Sequence, residues 1–160
     1  NSKINYCLPR GTMVKEDDFS HSLTMAFKSF GLEEFKELFL SDYENSECVS
    51  VPYKYILIDI ANGHMEDLLE TVIRFKAKYS DTKKLMVGNV ANPETYKILS
   101  EAGADFIRIG IGNGNGCLTT QQTGVGYPMG SLIKECYDIK NKMSKISKNC
   151  SMIVADGGMK

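Results

Sequence analysis

The chain has 160 residues, enough for one domain with a substantial core. Its 19 basic and 20 acidic residues give a formal net charge of −1, and the scattered basic residues argue against a nucleic-acid-binding surface. No apolar run approaches the ~20 residues that a membrane span needs, and no signal-peptide pattern opens the chain. Five cysteines without a Cys-x-x-Cys pair argue against a zinc site or a disulfide framework. We therefore expect a reduced, cytoplasmic protein.

Strand-like and helix-like patterns alternate along the chain. Weak strand patterns at residues 4–8 and 23–30 precede a predicted helix at Leu32–Leu40. Pro93 is typical of a first helical residue and Gly103 of a helix stop. The further predicted elements are a strand at Tyr55–Asp59, a helix at 64–79, a strand at 84–88, a loop at 89–92, a helix at 94–101, a strand at Phe106–Ile109, a helix at 129–143 and a strand at 151–155.

About six βα units in succession predict an α/β fold with a parallel sheet covered by helices. Short connections and polar residues at the carboxyl ends of the strands favour a (β/α)₈ TIM barrel. A complete barrel needs ~250 residues, so we expect a single partial barrel domain over residues 1–160, without the first and last strands. An open flavodoxin-like sheet is the alternative. Because the chain begins with Asn1 and stops just after a predicted strand, we expect it to be a segment of a longer protein.

The most informative segment is residues 110–128, which directly follows a predicted strand. Its six glycines allow the backbone to approach a ligand closely. Cys117 lies within this segment, where nearby backbone N–H groups favour a thiolate that can act as a nucleophile. The alternative is a flexible connector that carries a structural cysteine. We call residues 110–128 the glycine–cysteine loop.

Four segments follow the carboxyl ends of predicted strands: residues 59–63, 88–89, 110–123 and 156–158. In a barrel these ends share one rim, where active sites form. The last segment, Asp156-Gly157-Gly158, offers backbone N–H groups for a phosphate. The Asp156 carboxylate is better suited to a pair of ribose hydroxyls. Taken alone, the Asp-Gly-Gly sequence is also typical of a plain turn.

Six motifs appear in a characteristic order: Asp-Ile-Ala-Asn-Gly at 59–63, Gly-Asn-Val at 88–90, Ala-Gly-Ala-Asp at 102–105, Gly-Ile-Gly-Asn-Gly at 110–114, Cys-Leu-Thr at 117–119 and Ala-Asp-Gly-Gly at 155–158. With these motifs the chain resembles the IMP dehydrogenase/GMP reductase family of (β/α)₈ barrels from about Tyr55 onward. Residues 59–63 and 123–128 are most similar to the reductases. The dehydrogenases of the family usually insert a regulatory CBS-type domain pair between strands two and three. If the predicted strands at 4–8 and 23–30 correspond to these two strands, the gap between them is far too short for it.

This resemblance implies an NADPH-dependent reductive deamination of GMP to IMP and ammonia. Cys117 corresponds to the nucleophile that attacks C2 of the purine and forms a thioimidate. Thr119 corresponds to a threonine that helps to move protons, although a loop hydroxyl bonded to its own backbone is the simpler alternative. Two other functions stay open: an IMP dehydrogenase that uses NAD, and a non-catalytic nucleotide-binding remnant.

The resemblance also implies ligand positions and a homotetramer. The cofactor side comprises Asp59, Ile60, Ala61, Asn89, Ile111 and Gly112. The purine nucleotide side comprises Asn115, Asp156, Gly157 and Gly158. A potassium ion is expected at Gly112, Gly114, Cys117 and Thr120. Asn113, Asn115, Gly116 and Thr120 depart from the residues that are more usual in this loop of the family.

Overall fold

A computed structural model of the chain describes residues 6–8, 26–41, 53–80, 82–111, 127–146 and 150–157. Within these ranges strands and helices alternate, as the sequence predicts. The strands are β1 (Tyr6–Leu8), β2 (Ala26–Phe30), β3 (Tyr55–Asp59), β4 (Lys84–Val90), β5 (Phe106–Ile109) and β6 (Met152–Ala155). The helices are α1 (Leu32–Leu40), α2 (Glu66–Tyr79), α3 (Pro93–Glu101) and α4 (Met129–Ser144).

The strands form one parallel sheet in which each strand pairs with its neighbour in the sequence, from β1 to β6. The predicted α/β class with a parallel sheet is therefore confirmed. A flavodoxin-like sheet would reverse its strand order at an internal switch point. The sequential order found here contradicts that alternative.

The two faces of the sheet are packed differently. Every described helix contributes to a large apolar core on one face, for instance through Phe35, Phe75, Leu99 and Leu132. The opposite face carries a smaller cluster without a helical residue among its described members. That cluster consists of Phe27, Leu57 and Met86, flanked by Tyr55, Phe106 and Val154. Because side chains alternate along a strand, strands β2 to β6 supply residues to both faces.

Strand β4 is two residues longer than predicted. The sequence places Gly88 at the end of this strand and Asn89 in a loop, whereas the structure extends the strand to Val90. The reason is pairing on both sides, since Val90 pairs with Ile109 of β5 and the preceding residues bond the segment after β3. The Asn89 N–H donates to the Ile60 carbonyl at 2.7 Å, and the Ile60 N–H donates to the Gly88 carbonyl at 2.8 Å.

The helix starts follow from local hydrogen bonds. Helix α3 begins with Pro93, as predicted, and the Asn92 side chain accepts a hydrogen bond from the Glu94 N–H at 2.7 Å. Helix α2 begins at Glu66 rather than at His64. The His64 N–H instead donates to the side-chain oxygen of the asparagine two residues earlier, at 3.1 Å. Other predicted boundaries differ by a residue or lie partly outside the described ranges.

Candidate active site

Polar side chains from four neighbouring strands meet at one edge of the sheet. Asp59 ends β3, Asn89 lies near the end of β4, Arg108 lies in β5, and Asp156 follows β6. The register aligns Asp59 with Gly88 and Gly88 with Arg108. Carboxyl ends of parallel strands are the usual place for ligands in α/β proteins. We call Asp59, Asn89, Arg108 and Asp156 the rim cluster.

Arg108 lies at the centre of the rim cluster, although it is not among the residues that the sequence singles out. Its Nη2 donates to Asp59 Oδ1, its Nε donates to Asn89 Oδ1 at 2.5 Å, and its Nε lies 3.6 Å from Asp156 Oδ2. The side-chain exposure is 16% for Arg108, 31% for Asp59 and 49% for Asp156. Removing a cation from water is unfavourable unless anions compensate it, and here two carboxylates do so.

The Asn89 side chain connects three strands at this edge. Its Oδ1 accepts from Arg108, while its Nδ2 donates to the Gly110 carbonyl at 2.6 Å and to Asp156 Oδ2 at 2.8 Å. These contacts use the acceptor and both donor hydrogens of the amide. The orientation of the amide therefore follows from its partners.

The glycine–cysteine loop starts directly from the rim cluster. The N–H of Gly110, its first residue, donates to the Val90 carbonyl at 2.8 Å, and its carbonyl accepts from Asn89. The next residue, Ile111, is 4% exposed. The first residue of the loop is thus fixed to β4, and the second is buried. Several residues that the sequence singles out lie outside the described residues: Gly112, Gly114, Asn115, Cys117, Thr119, Thr120 and Gly158.

The segment after β3 lies against the end of β4. The Gly63 N–H donates to the Asn89 carbonyl at 2.7 Å. A Cβ atom at Gly63 would lie 2.9 Å from Val90 Cγ2 and 3.1 Å from the Asn89 oxygen, so a larger residue would push the segment away. Ile60 is half-buried against the core, whereas Ala61 is exposed. Close packing by Gly63 therefore holds this segment beside the rim cluster.

At the opposite edge of the sheet, Asp105 has a structural role. Its carboxylate accepts from Lys76 Nζ at 2.8 Å, Lys84 Nζ at 2.8 Å and the Leu85 N–H at 2.9 Å. Burial raises the pKa of the Asp105 carboxyl, but the Leu85 N–H and the two ammonium groups outweigh it, so that pKa lies below its usual value. The carboxylate joins β4, β5 and α2 far from the rim cluster.

Cys136 on α4 is not suited to nucleophilic chemistry. Its side chain is fully buried in the core that packs against the helices. Burial, with a smaller contribution from Glu135, raises the pKa of the Cys136 thiol to about 12. At neutral pH it is therefore a small apolar side chain.

Two classes of feature are absent from the described part of the chain. No three His, Cys, Asp or Glu residues in it lie together in a way that could hold a metal ion. None of its helices is both long and apolar enough to span a membrane.

The part of the chain that carries the rim cluster matches a known protein family. A family model described as the IMP dehydrogenase / GMP reductase domain matches residues 45–160. The chain belongs to this family. The match includes β3 to β6 and all four strand ends of the rim cluster, and it confirms the resemblance drawn from the motifs.

The chain is similar to curated relatives that are named GMP reductase. The chain is 42% identical over 110 residues to GMP reductase of Vibrio campbellii (strain ATCC BAA-1116), which covers 69% of the chain and 30% of that relative. It is 37% identical over 121 residues to GMP reductase 2 of Homo sapiens, covering 74% of the chain and 33% of the relative. The matched part thus spans about a third of the length of these relatives.

Proposed function

We propose that this chain forms part of the (β/α)₈-barrel catalytic domain of an NADPH-dependent GMP reductase, which converts GMP to IMP and ammonia. The observation that carries the proposal is the position of the rim cluster, which adjoins the first residue of the glycine–cysteine loop. The family membership and the relatives named GMP reductase support it. Sequential parallel strands with the described helices on one face are also typical of this barrel.

The chemistry of the rim cluster fits a nucleotide and a dinucleotide side by side. The Asp156 carboxylate is half exposed and can accept hydrogen bonds from the ribose hydroxyls of GMP. Gly157 and Gly158 would contribute backbone N–H groups to its phosphate, together with Asn115. Asp59 retains 31% exposure and would face the nicotinamide side, together with Ile60, Ala61, Asn89, Ile111 and Gly112. NADPH, when bound, supplies the hydride that reduces C2 of the purine.

Cys117 would carry the covalent step. Its thiolate attacks C2 of GMP and forms a carbon–sulfur bond, and the amino group leaves as ammonia after it is protonated. Thr119 would assist this proton transfer. Hydride addition at C2 is followed by cleavage of the carbon–sulfur bond, which returns the thiolate and releases IMP. The covalent route divides one difficult substitution into two easier steps.

Turnover assays of the full-length protein test the proposal. We expect the protein to oxidise NADPH and release ammonia when GMP is added. Cys117→Ser should abolish this turnover. Cys150→Ser is the matched control, because Cys150 precedes β6 at the opposite edge of the sheet. Turnover only with IMP and NAD would show that the protein is an IMP dehydrogenase and not a GMP reductase. Binding of GMP without turnover or adduct formation would favour a non-catalytic nucleotide-binding protein.

Three further properties belong to the same proposal. Backbone carbonyls of Gly112, Gly114 and Cys117, with a contribution from Thr120, would bind potassium, and activity should fall when choline chloride replaces potassium chloride. The catalytic domain would be continuous, without a CBS-type insertion between β1 and β2. The active protein would be a homotetramer, which its mass in solution tests.

A further inference from the structure

Arg108 contacts polar side chains from three other strands or strand ends. Its guanidinium, on β5, bonds Asp59 at the end of β3 and Asn89 on β4, and it lies beside Asp156 after β6. Only 16% of the side chain is exposed. The arginine therefore acts inside the protein, between groups that themselves border the open edge.

The geometry depends on the fork of a guanidinium. The Nη2 nitrogen donates to Asp59, while Nε donates its single hydrogen to Asn89 and lies 3.6 Å from Asp156 Oδ2. A lysine ammonium is a compact charge without this fixed spread of donors. Lysine at position 108 would preserve an attraction to the carboxylates but could not preserve all three contacts.

Arg108 also contributes to the orientation of the Asn89 amide. Because Nε can only donate, it requires the amide oxygen on its side. The amide nitrogen then points to the Gly110 carbonyl at 2.6 Å and to Asp156 Oδ2 at 2.8 Å. A rotated amide would place a donor against a donor at Arg108 and an oxygen against two oxygen acceptors. Without Arg108 the first of these penalties disappears.

We propose that Arg108 is a positioning residue that holds the cofactor side and the nucleotide side of the active site in one register, an inference that rests on the proposed GMP reductase function. Asp59 stands on the first side and Asp156 on the second, and Arg108 joins them through two nitrogens, Nη2 and Nε, of one guanidinium. Through Asn89 it also holds the first residue of the glycine–cysteine loop. Loss of Arg108 removes the charge that keeps the two carboxylates together.

We expect substitution of Arg108 to lower kcat much more than it weakens the binding of GMP or NADPH. Misplacement of reacting groups by ~1 Å costs about 100-fold in rate, so Arg108→Met should lower kcat about 100-fold. The KM values for GMP and NADPH should stay within about threefold, since Asp59 and Asp156 remain at their strand ends as acceptors for the two ligands and what is lost is the alignment of one side with the other. Arg108→Lys should retain more activity than Arg108→Met, because the positive charge remains.

The test measures kcat and KM of the full-length protein and its variants with GMP and NADPH, together with the urea midpoint of each. Arg74→Met is the matched control, because Arg74 binds the Leu40 carbonyl at 3.3 Å on the helix layer, away from the rim cluster. It should leave kcat unchanged. In Arg108→Ala, millimolar guanidinium should restore part of kcat, whereas an equal concentration of ethylammonium should restore less.

The outcomes separate the two proposals. Absence of wild-type turnover overturns the reductase function and, with it, this inference. Wild-type turnover with a kcat of Arg108→Met within threefold of wild type overturns the role of Arg108 alone. The role of Arg108 is also overturned if two results occur together. The first is that kcat of Arg108→Met and of Arg108→Lys falls only in proportion to the loss of folded protein. The second is that guanidinium does not restore kcat of Arg108→Ala. If Arg108→Met does not fold, the KM and kcat of Arg108→Lys and the rescue of Arg108→Ala decide the question.

Discussion

Replacement of Asp105 by asparagine should destabilise the fold by an amount that the structure allows us to estimate. Asparagine retains an acceptor for the Leu85 N–H but removes the negative charge beside Lys76 and Lys84. The Lys76 side chain is only 13% exposed, and a hydrogen bond between charged groups contributes about 1.5–3 kcal/mol in such a setting. Lys84 is 48% exposed, so its pairing adds at most ~1 kcal/mol. We expect Asp105→Asn to lower the free energy of unfolding by about 1.5–4 kcal/mol near neutral pH.

The loss should depend on pH in a defined direction. The folded-state pKa of Asp105 lies below its usual value, so the carboxylate stabilises the wild type above the unfolded-state pKa of ~4. That contribution disappears as the pH falls through the folded-state pKa. The difference between wild type and Asp105→Asn should therefore be full near pH 7 and smaller at about pH 3.5.

Urea unfolding of the full-length protein, followed by circular dichroism at both pH values, measures this difference. Asp138→Asn is the matched control, because Asp138 pairs with Lys134 at 2.8 Å where both side chains are well exposed. That substitution should cost less than ~0.5 kcal/mol. Equal effects of the two substitutions would refute the reasoning, and so would an Asp105→Asn effect that does not change with pH.

Two further predictions concern packing and thiol reactivity. Gly88→Ala should destabilise the protein by ~1–3 kcal/mol in urea unfolding, because the added Cβ would lie 2.5 Å from the Arg108 carbonyl oxygen. Gly130→Ala is the control and should be neutral or stabilising, because no atom lies within 4 Å of its added Cβ. Similar losses of stability in both variants would contradict the packing argument. Iodoacetamide at mildly alkaline pH should modify Cys117 in the native protein and reach Cys136, whose thiol has a pKa of about 12, only after unfolding. Peptide mass mapping checks this, and rapid native labelling of Cys136 would contradict its burial.

Much of the fold could be predicted because local patterns agree with the tertiary structure. Tyr55–Asp59 and Phe106–Ile109 are short apolar runs between polar segments, and the structure has strands at these bounds. The spacing of apolar residues likewise predicts α1 at Leu32–Leu40. The extension of β4 through Asn89 could not be predicted, because it depends on hydrogen bonds with Ile60, which is distant in the sequence.

Arg108 shows why the candidate site was only partly predictable. Asp59, Asn89 and Asp156 can be predicted because each lies at or just after the end of a predicted strand, where barrels carry function. Arg108 lies inside such a strand, where its apolar neighbours predict the strand but do not mark the arginine as functional. The alternation of residues along β5 is the signal that identifies Arg108. Ile107 and Ile109 lie in the core beneath the helices, so the charged residue between them points to the opposite face of the sheet.

The most direct test of the account is the site of covalent attachment of GMP. Full-length protein incubated with GMP and no NADPH, then quenched in acid and digested, should yield a Cys117 peptide heavier by GMP less ammonia. The Cys136 peptide serves as an internal control and should remain unmodified. Turnover of GMP without any adduct at Cys117, or with the adduct on another cysteine, would contradict the account.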